Sequence, residues 1–272
     1  MPELPEVEMV KRTITPHITG ATVVEAQVLW PGSLVNMTPA LLRDRLVGAR
    51  FITAHRRGKY LGLALAGDAY LVVHLRMTGR LTARPLKSTQ ERHLRMLITM
   101  DNGIALHFVD QRKFGRIYWA ADRDEFLRIA QVGPEPLADE FTPQALAAAL
   151  GGTKMKVKSC LLDQRRIAGI GNIYADESLF RAGIHPERSA GSLNEGEIFR
   201  LWQAIRTSLA NAIEHGGTTV RDYVDGDGSS GDNQRFLLVY GRAGSSCTNC
   251  TGILQRIKVA GRGTVFCPRC QK

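Results

Sequence analysis

The sequence predicts an α+β chain: an antiparallel β-sandwich or barrel first, then helices, then a cysteine-bound hairpin. Three observations carry this. Residues 22–119 read as short apolar runs punctuated by turn residues; after Val132-Gly133-Pro134-Glu135-Pro136 the pattern becomes helical; and four of the five cysteines fall in the last 26 residues. A length of 272 residues allows one large core or two modest ones. No apolar run approaches the roughly eighteen residues that a membrane span needs, so no membrane partner is expected.

The first element is a helix from Pro5 to Thr15. Pro5 suits the first turn, Glu6 and Glu8 favour the helix dipole, Val7, Val10 and Ile14 are apolar, and Pro16 is expected to stop it. Strands follow, including 60–65, 70–75 and a hairpin around Asp101-Asn102-Gly103, interrupted by a helix near 39–47. Helices are expected at about 142–150, 154–163 and 172–182. A longer one over 193–214 carries the stripe Ile198, Leu201, Trp202, Ile205, Leu209 and Ile213, with Ser192 and Glu195 as a capping box. Three domains are expected: 1–131, 132–234 and 235–272. Asp225 to Asn233 superficially suggests a calcium loop but lacks the Gly at position six and the closing Glu, and reads as a mobile loop. Gly169-x-Gly171 fails as a dinucleotide fingerprint, because Tyr174 stands where the third Gly belongs; its glycines suit a tight interhelical turn.

The charge is +10, from 36 Lys and Arg against 26 Asp and Glu, which favours a polyanionic partner such as nucleic acid. Beyond Gln234 there are seven basic residues and no acidic one, a composition suited to a phosphate backbone. Cys247-x2-Cys250 and Cys267-x2-Cys270, sixteen residues apart, have the spacing of a structural zinc site; one Zn2+ is expected. Cys160, in an apolar helical stretch, reads as a small buried residue. The acidic start, without an apolar core, is unlike a leader peptide and predicts a reducing cytoplasm.

Five motifs then appear in order: Met1-Pro2-Glu3-Leu4-Pro5-Glu6-Val7-Glu8, His74-Leu75-Arg76-Met77-x-Gly79, Asp110-x-Arg112-Lys113-Phe114-Gly115, Gly169-x-Gly171-Asn172-Ile173-Tyr174-x-Asp176-Glu177 and Val259-Ala260-Gly261-Arg262-Gly263-Thr264. With the zinc cysteines, they resemble end to end the formamidopyrimidine-DNA glycosylases of bacteria. The resemblance implies an N-terminal β-sandwich domain, a C-terminal helical domain containing a helix-two-turn-helix, and a zinc finger. It also implies base-excision repair: removal of oxidised purines (8-oxoguanine, formamidopyrimidines) from double-stranded DNA, with abasic-site lyase activity by β,δ-elimination. Its partners would be DNA with oxidised bases or abasic sites, the protein acting as a monomer in the cytoplasm and on the nucleoid.

Once Met1 is removed, Pro2 presents a secondary amine, a candidate nucleophile. With an ordinary α-amino pKa of about 7.7 to 8.0, roughly a tenth of it is neutral at pH 7. Attack at the sugar C1′ would expel the base and leave an iminium, whose electron demand acidifies the C2′ proton and permits elimination of both phosphates. By resemblance, Glu3 assists ring opening and proton transfer, and Lys59 holds a phosphate or positions the damaged nucleotide. Glu6 has a possible site role besides facing the helix dipole. His74, His93, Arg112, Lys158, Asn172 and Arg262 fall on DNA-binding positions, Arg262 also as proton donor in elimination. Met77, Arg112 and Phe114 match the side chains that fill the void left by an extruded nucleotide. The family often carries two histidines one residue apart in the segment where this chain has His93 and Arg95. Two other readings share many of these features: an endonuclease VIII-like enzyme for oxidised pyrimidines, and a non-catalytic zinc-ribbon DNA-binding protein.

Overall fold

The computed structural model describes residues 1–88 and 91–272. Its contacts cluster into two units, Met1–Gln131 with His215–Asp232, and Val132–Glu214 with Asn233–Lys272.

In the first unit, helix α1 (Leu4–Ile18) runs through Pro16 rather than stopping there. A proline costs a helix the bond from its own nitrogen. Here that loss falls near the helix end, and fully buried Ile14 and Ile18 carry the last turn into the core. Strand β1 (Val23–Val28) and helix α2 (Pro39–Leu46) follow, the latter capped by the Thr38 hydroxyl. The remaining strands are β2 (Phe51–Arg57), β3 (Tyr60–Leu65), β4 (Tyr70–His74), β5 (Gly79–Pro85), β6 (Leu94–Met100), β7 (Ile104–Asp110) and β8 (Arg116–Ala120). They form two separate antiparallel sheets, β1-β6-β7-β5 and β2-β3-β4-β8. Val7, Val10, Ile14 and Ile18 of α1 join Leu61, Leu71 and Val73 from one sheet and Leu81, Met96 and Phe108 from the other in one apolar cluster. The arrangement is therefore a sandwich, sealed by α1.

Strands β3 and β4 are buried along nearly their whole length, because a second layer covers their outer face. That layer is helix α3 (Arg123–Ala130), which the sequence reading missed; its Phe126 packs on Ala64, Tyr70 and Val72 and lies 3.0 Å from where a Cβ on Gly62 would stand. Residues 215–232, assigned from composition to the helical segment, cluster instead with the first unit. Glu6, Thr13, His17 and Ala83 hold them through Thr218, Gly226 and Asp227. Within the segment, Asp225 Oδ1 accepts from the amides of Asp227 and Ser229, so the run expected to be a mobile loop contains an Asx turn.

The second unit holds α4 (Pro143–Leu150), α5 (Val157–Leu162), α6 (Asn172–Ala182), α7 (Glu195–Glu214) and a hairpin of β9 (Gln255–Val259) and β10 (Arg262–Phe266). Helix α5 is shorter than the sequence suggests. The cap of α7 is Asn194 with Glu197, each accepting the other's amide at 2.9 Å, two residues beyond the expected Ser192 and Glu195 pair; residues 190–192 are taken by a 3-10 turn. Between α5 and α6, the Gln164 side chain bonds Leu162 O, Ile170 O and Gly169 N, closing the turn that the glycines permit. Gly169 has φ +80°. No helix among the described residues is long and apolar enough to cross a membrane.

Candidate active site and nucleic-acid interface

The extreme N-terminus is held from within α1. Pro2, Glu3 and Glu6 are buried while Met1 is 41% exposed. Glu3, in extended backbone, is the N-cap, and Glu6 reaches back to accept its amide at 2.8 Å in a reciprocal capping box. The other Glu6 oxygen accepts the Thr218 amide, also at 2.8 Å. One buried carboxylate thus joins the residue beside Pro2 to the 215–232 segment, a task beyond compensating the helix dipole. In that segment, the Tyr223 hydroxyl donates to Gly216 O at 3.1 Å. Burial first, then the charges of Glu6 and Asp225, push this phenol well above its ordinary range.

Lys59 is buried in the two-residue turn between β2 and β3, where Gly58 takes φ +55° as a II′ hairpin turn requires. The turn is bolted to α1: Arg56 donates to Gly58 O at 3.1 Å and to Glu8 Oε2 at 2.9 Å. Burial raises the Glu8 carboxyl, but Lys11, Arg12 and Arg56 outweigh it and hold the group below the usual carboxylate range. His74, at the end of β4, is buried; its Nδ1 accepts the Arg76 amide at 3.1 Å. Burial, then the charges of Arg76 and Lys59, depress its pKa to about 3. The ring is neutral at pH 7, so with Nδ1 accepting, the proton sits on Nε2 as a donor.

Met77 and Phe114 are 39% and 45% exposed, on the turns that leave β4 and β7, and are not part of the sandwich core. Arg112 is also exposed, its guanidinium 4.6 Å from the centre of the Phe114 ring. His93 is half-buried with φ +69°, and Arg95 lies beside it with Nη2 3.5 Å from Nδ1. Partial burial first, and then Arg92, Arg95, Arg80 and Lys113, lower the His93 pKa.

In the second unit, Arg262 is exposed at the corner of the β9–β10 hairpin, whose two-residue turn places Ala260 and Gly261 at φ +50° and +73°. Lys158 has no exposure: its ammonium is 2.6 Å from Asp176 Oδ1 and donates to Thr264 Oγ1 at 2.7 Å. Asn172 donates to Gly263 O at 3.0 Å. Both side chains expected to face phosphates therefore grip the hairpin that carries Arg262. Two acids missed by residue-by-residue reading add to this: Asp176 holds the same hairpin, and Glu177 holds the segment 238–240 that precedes it. Asp176 accepts from Val265 N at 3.1 Å, and Glu177 accepts from the amides of Leu238, Val239 and Tyr240 at 2.9 Å each. The available signal was two adjacent acids within the helix and between its buried residues Tyr174, Ala175 and Leu179. Asp176 is pushed up to about 6 by burial, against the pull of Lys158.

The four cysteine sulfurs lie within 4.8 Å of one another, with Cys247 and Cys270 3.8 Å apart and Cys250 and Cys267 3.4 Å apart. Tetrahedral zinc with Zn–S bonds of about 2.3 Å places its sulfurs about 3.8 Å apart. The donor set therefore fits one structural Zn2+, while no sulfur pair is close enough for a disulfide. Cys160 is fully buried and apart from this cluster.

Each part of the chain is similar to a known family. Residues 1–117 match the formamidopyrimidine-DNA glycosylase N-terminal domain, 132–224 the formamidopyrimidine-DNA glycosylase H2TH domain, and 244–272 the zinc finger found in FPG and IleRS. Formamidopyrimidine-DNA glycosylase of Carboxydothermus hydrogenoformans is 45% identical over 272 residues, covering all of both chains. That of Moorella thermoacetica is 47% identical over 261 residues, 95% of each chain. Among solved structures, Lactococcus lactis Fpg in complex with abasic-site DNA has a TM-score of 0.93 at 37% identity, covering 99% of each chain. The same protein bound to Fapy-dG DNA has a TM-score of 0.92 at 36% identity, covering 99% of this chain and 100% of that one. Matched in all three of its parts and along its full length, this chain belongs to the formamidopyrimidine-DNA glycosylase family.

Proposed function

We propose that this chain, a base-excision DNA glycosylase by family, removes oxidised purines and formamidopyrimidines from duplex DNA and then nicks the abasic strand. The observation that carries this reading is the buried start of α1: Pro2 and Glu3 fixed side by side, with Met1 exposed for removal. The freed Pro2 nitrogen attacks C1′; the glycosidic bond breaks, and the base leaves with its electron pair. Glu3 serves the proton transfer that opens the sugar ring. The resulting iminium draws electrons from C2′, whose proton is lost as the 3′ phosphate departs; a second elimination releases the 5′ phosphate.

The other residues position the DNA. Lys59 is held beside α1 and His74 offers a neutral Nε2–H donor; both suit a backbone phosphate. Arg262, exposed on its zinc-stapled hairpin, is a further phosphate donor and the proton donor in elimination. Lys158 and Asn172 support that hairpin, and His93 belongs to the same DNA-facing set. Met77, Arg112 and Phe114 fill the vacated stack, with Arg112 able to donate to the orphaned base. The segment we assign to the extruded base is the loop from Arg221 to Asn233, most of which belongs to the stretch tied to Glu6 through Thr218. The protein acts as a monomer in the cytoplasm.

Borohydride should trap the processed protein covalently on duplex containing 8-oxoguanine. A variant retaining an extra N-terminal residue, whose Pro2 nitrogen is an amide, should trap at background level. Undiminished trapping by that blocked variant would overturn the nucleophile assignment.

A further inference from the structure

Asp110 closes β7 and is 1% exposed. It is paired across the sheet with Gly79, the first residue of β5. Its carboxylate serves two turns at once. Oδ1 accepts from the Thr78 hydroxyl at 2.5 Å and from the Arg112 amide at 3.2 Å, and Oδ2 accepts from the Gly115 amide at 2.7 Å. The Arg112 amide also donates to Thr78 Oγ1 at 3.2 Å, so this hydroxyl is acceptor toward one turn and donor toward the carboxylate. Thr78 follows Met77 on the first turn; Arg112 and Gly115 flank Phe114 on the second. Asp110 is itself anchored, its amide donating to His93 O at 3.0 Å and its carbonyl accepting from Arg95 Nε at 2.8 Å. Arg95, which stands where the family often has histidine, is thus a backbone brace.

We infer, resting on the void-filling reading above, that Asp110 is a positioning residue which, through the Thr78 hydroxyl, locks the Met77 turn to the Arg112–Phe114 turn so that the three side chains enter DNA as one preformed wedge. A buried carboxylate meeting three donors is stiff, because each bond is charge-assisted and each lost bond leaves a charge unsatisfied. The turns leave little slack: Arg76 and Lys113 sit at φ +54° and +61°. A Cβ on Gly79 would stand 2.3 Å from Leu75 O, and one on Gly115 2.4 Å from Phe108 Cζ. A wedge already in shape loses less freedom on insertion than two independent loops.

The test is Thr78→Val, which keeps the shape and deletes the hydroxyl, with Thr78→Ser as the conservative variant. Base extrusion is followed by 2-aminopurine fluorescence beside 8-oxoguanine, and single-turnover excision is compared with nicking of a preformed abasic site. Thr78→Val should slow extrusion and excision about tenfold while abasic nicking stays within about threefold, and Thr78→Ser should recover excision to within about threefold of the parent. Combined with Phe114→Ala, Thr78→Val should cost less than the product of the two single effects. If Met77→Ala and Phe114→Ala slow excision but Thr78→Val does not, the coupling is overturned and the wedge stands. Equal losses in Thr78→Val and Thr78→Ser, full multiplicativity with Phe114→Ala, or an equal loss of abasic nicking would also overturn it. Parental excision in both Met77→Ala and Phe114→Ala would remove the void-filling reading, and the coupling with it.

Discussion

Removing the carboxylate of Asp176 should destabilise the second unit far more than removing the ion pair altogether. Both side chains of the Lys158–Asp176 pair have no solvent exposure, and the charges are 2.6 Å apart. Asp176→Ala strands an ammonium in the interior, and such a loss costs about 3–5 kcal/mol. The Val265 amide, which Asp176 accepts at 3.1 Å, loses its partner as well. With a urea slope near 2 kcal/mol/M, the midpoint should fall by about 2 M. Lys158→Met combined with Asp176→Leu removes both desolvation penalties, and should restore the midpoint to within about 1 M of the parent. Urea unfolding followed by Trp202 fluorescence, in a background with Trp30 and Trp119 replaced by Phe, reads these shifts in the second unit. A drop below about 0.5 M for Asp176→Ala, or a double variant no more stable than the single one, would refute the reasoning. The double variant also tests the Lys158 assignment. If the lysine only supports the hairpin, the salt dependence of abasic-duplex binding is unchanged; a direct phosphate contact lowers the slope by about one unit.

What was legible in the sequence was chiefly what is local in the chain. Each Cys-x2-Cys pair brings two sulfurs together by itself, so the zinc ligands follow from spacing, whereas the amino-terminal site was legible through the amine chemistry of a freed Pro2 and the resemblance of the first eight residues. Strand patterning left an antiparallel sandwich or barrel open, the resemblance pointed to the sandwich, and two separate sheets form it; nothing in the pattern explained why β3 and β4 are buried continuously. Helix α3 buries only Phe126 and Ala130 among charged neighbours, too sparse a stripe to register as periodic. Pro16 misled for a related reason: a local rule on helix ends gave way to long-range burial of Ile18. The positioning residues were illegible because their partners are remote. Asp110 finds Thr78 32 residues away, and Lys158 finds Thr264 106 residues away. A lysine in sequence reads as a solvated charge. Only the fold supplies the buried acid that makes it a strut.

Zinc and His74 provide two further tests. Metal analysis should find one zinc per chain, and Cys247→Ser should weaken binding to every duplex while leaving the spectroscopic signature of residues 1–131 intact, because the cysteines staple only the hairpin bearing Arg262. Full DNA affinity with no metal bound would refute that role. For His74, ring proton shifts followed by NMR should show no titration between pH 8 and pH 5, since its folded pKa is held near 3, below the ordinary 6.5. In the unfolded chain the same ring takes up a proton near 6.5, so the unfolded state binds more protons across the interval from there down to about 3. The contribution of this group to stability is therefore complete above pH 6.5 and declines as the pH falls through that window, by about 1.4 kcal/mol for each unit below the unfolded value. A His74→Asn variant lacks this dependence, and its stability should fall less steeply than the parent's between pH 6.5 and pH 5. Parallel curves, or a His74 resonance that titrates near 6.5, would mean that the ring is not held neutral and that its Nε2 proton is not a fixed donor.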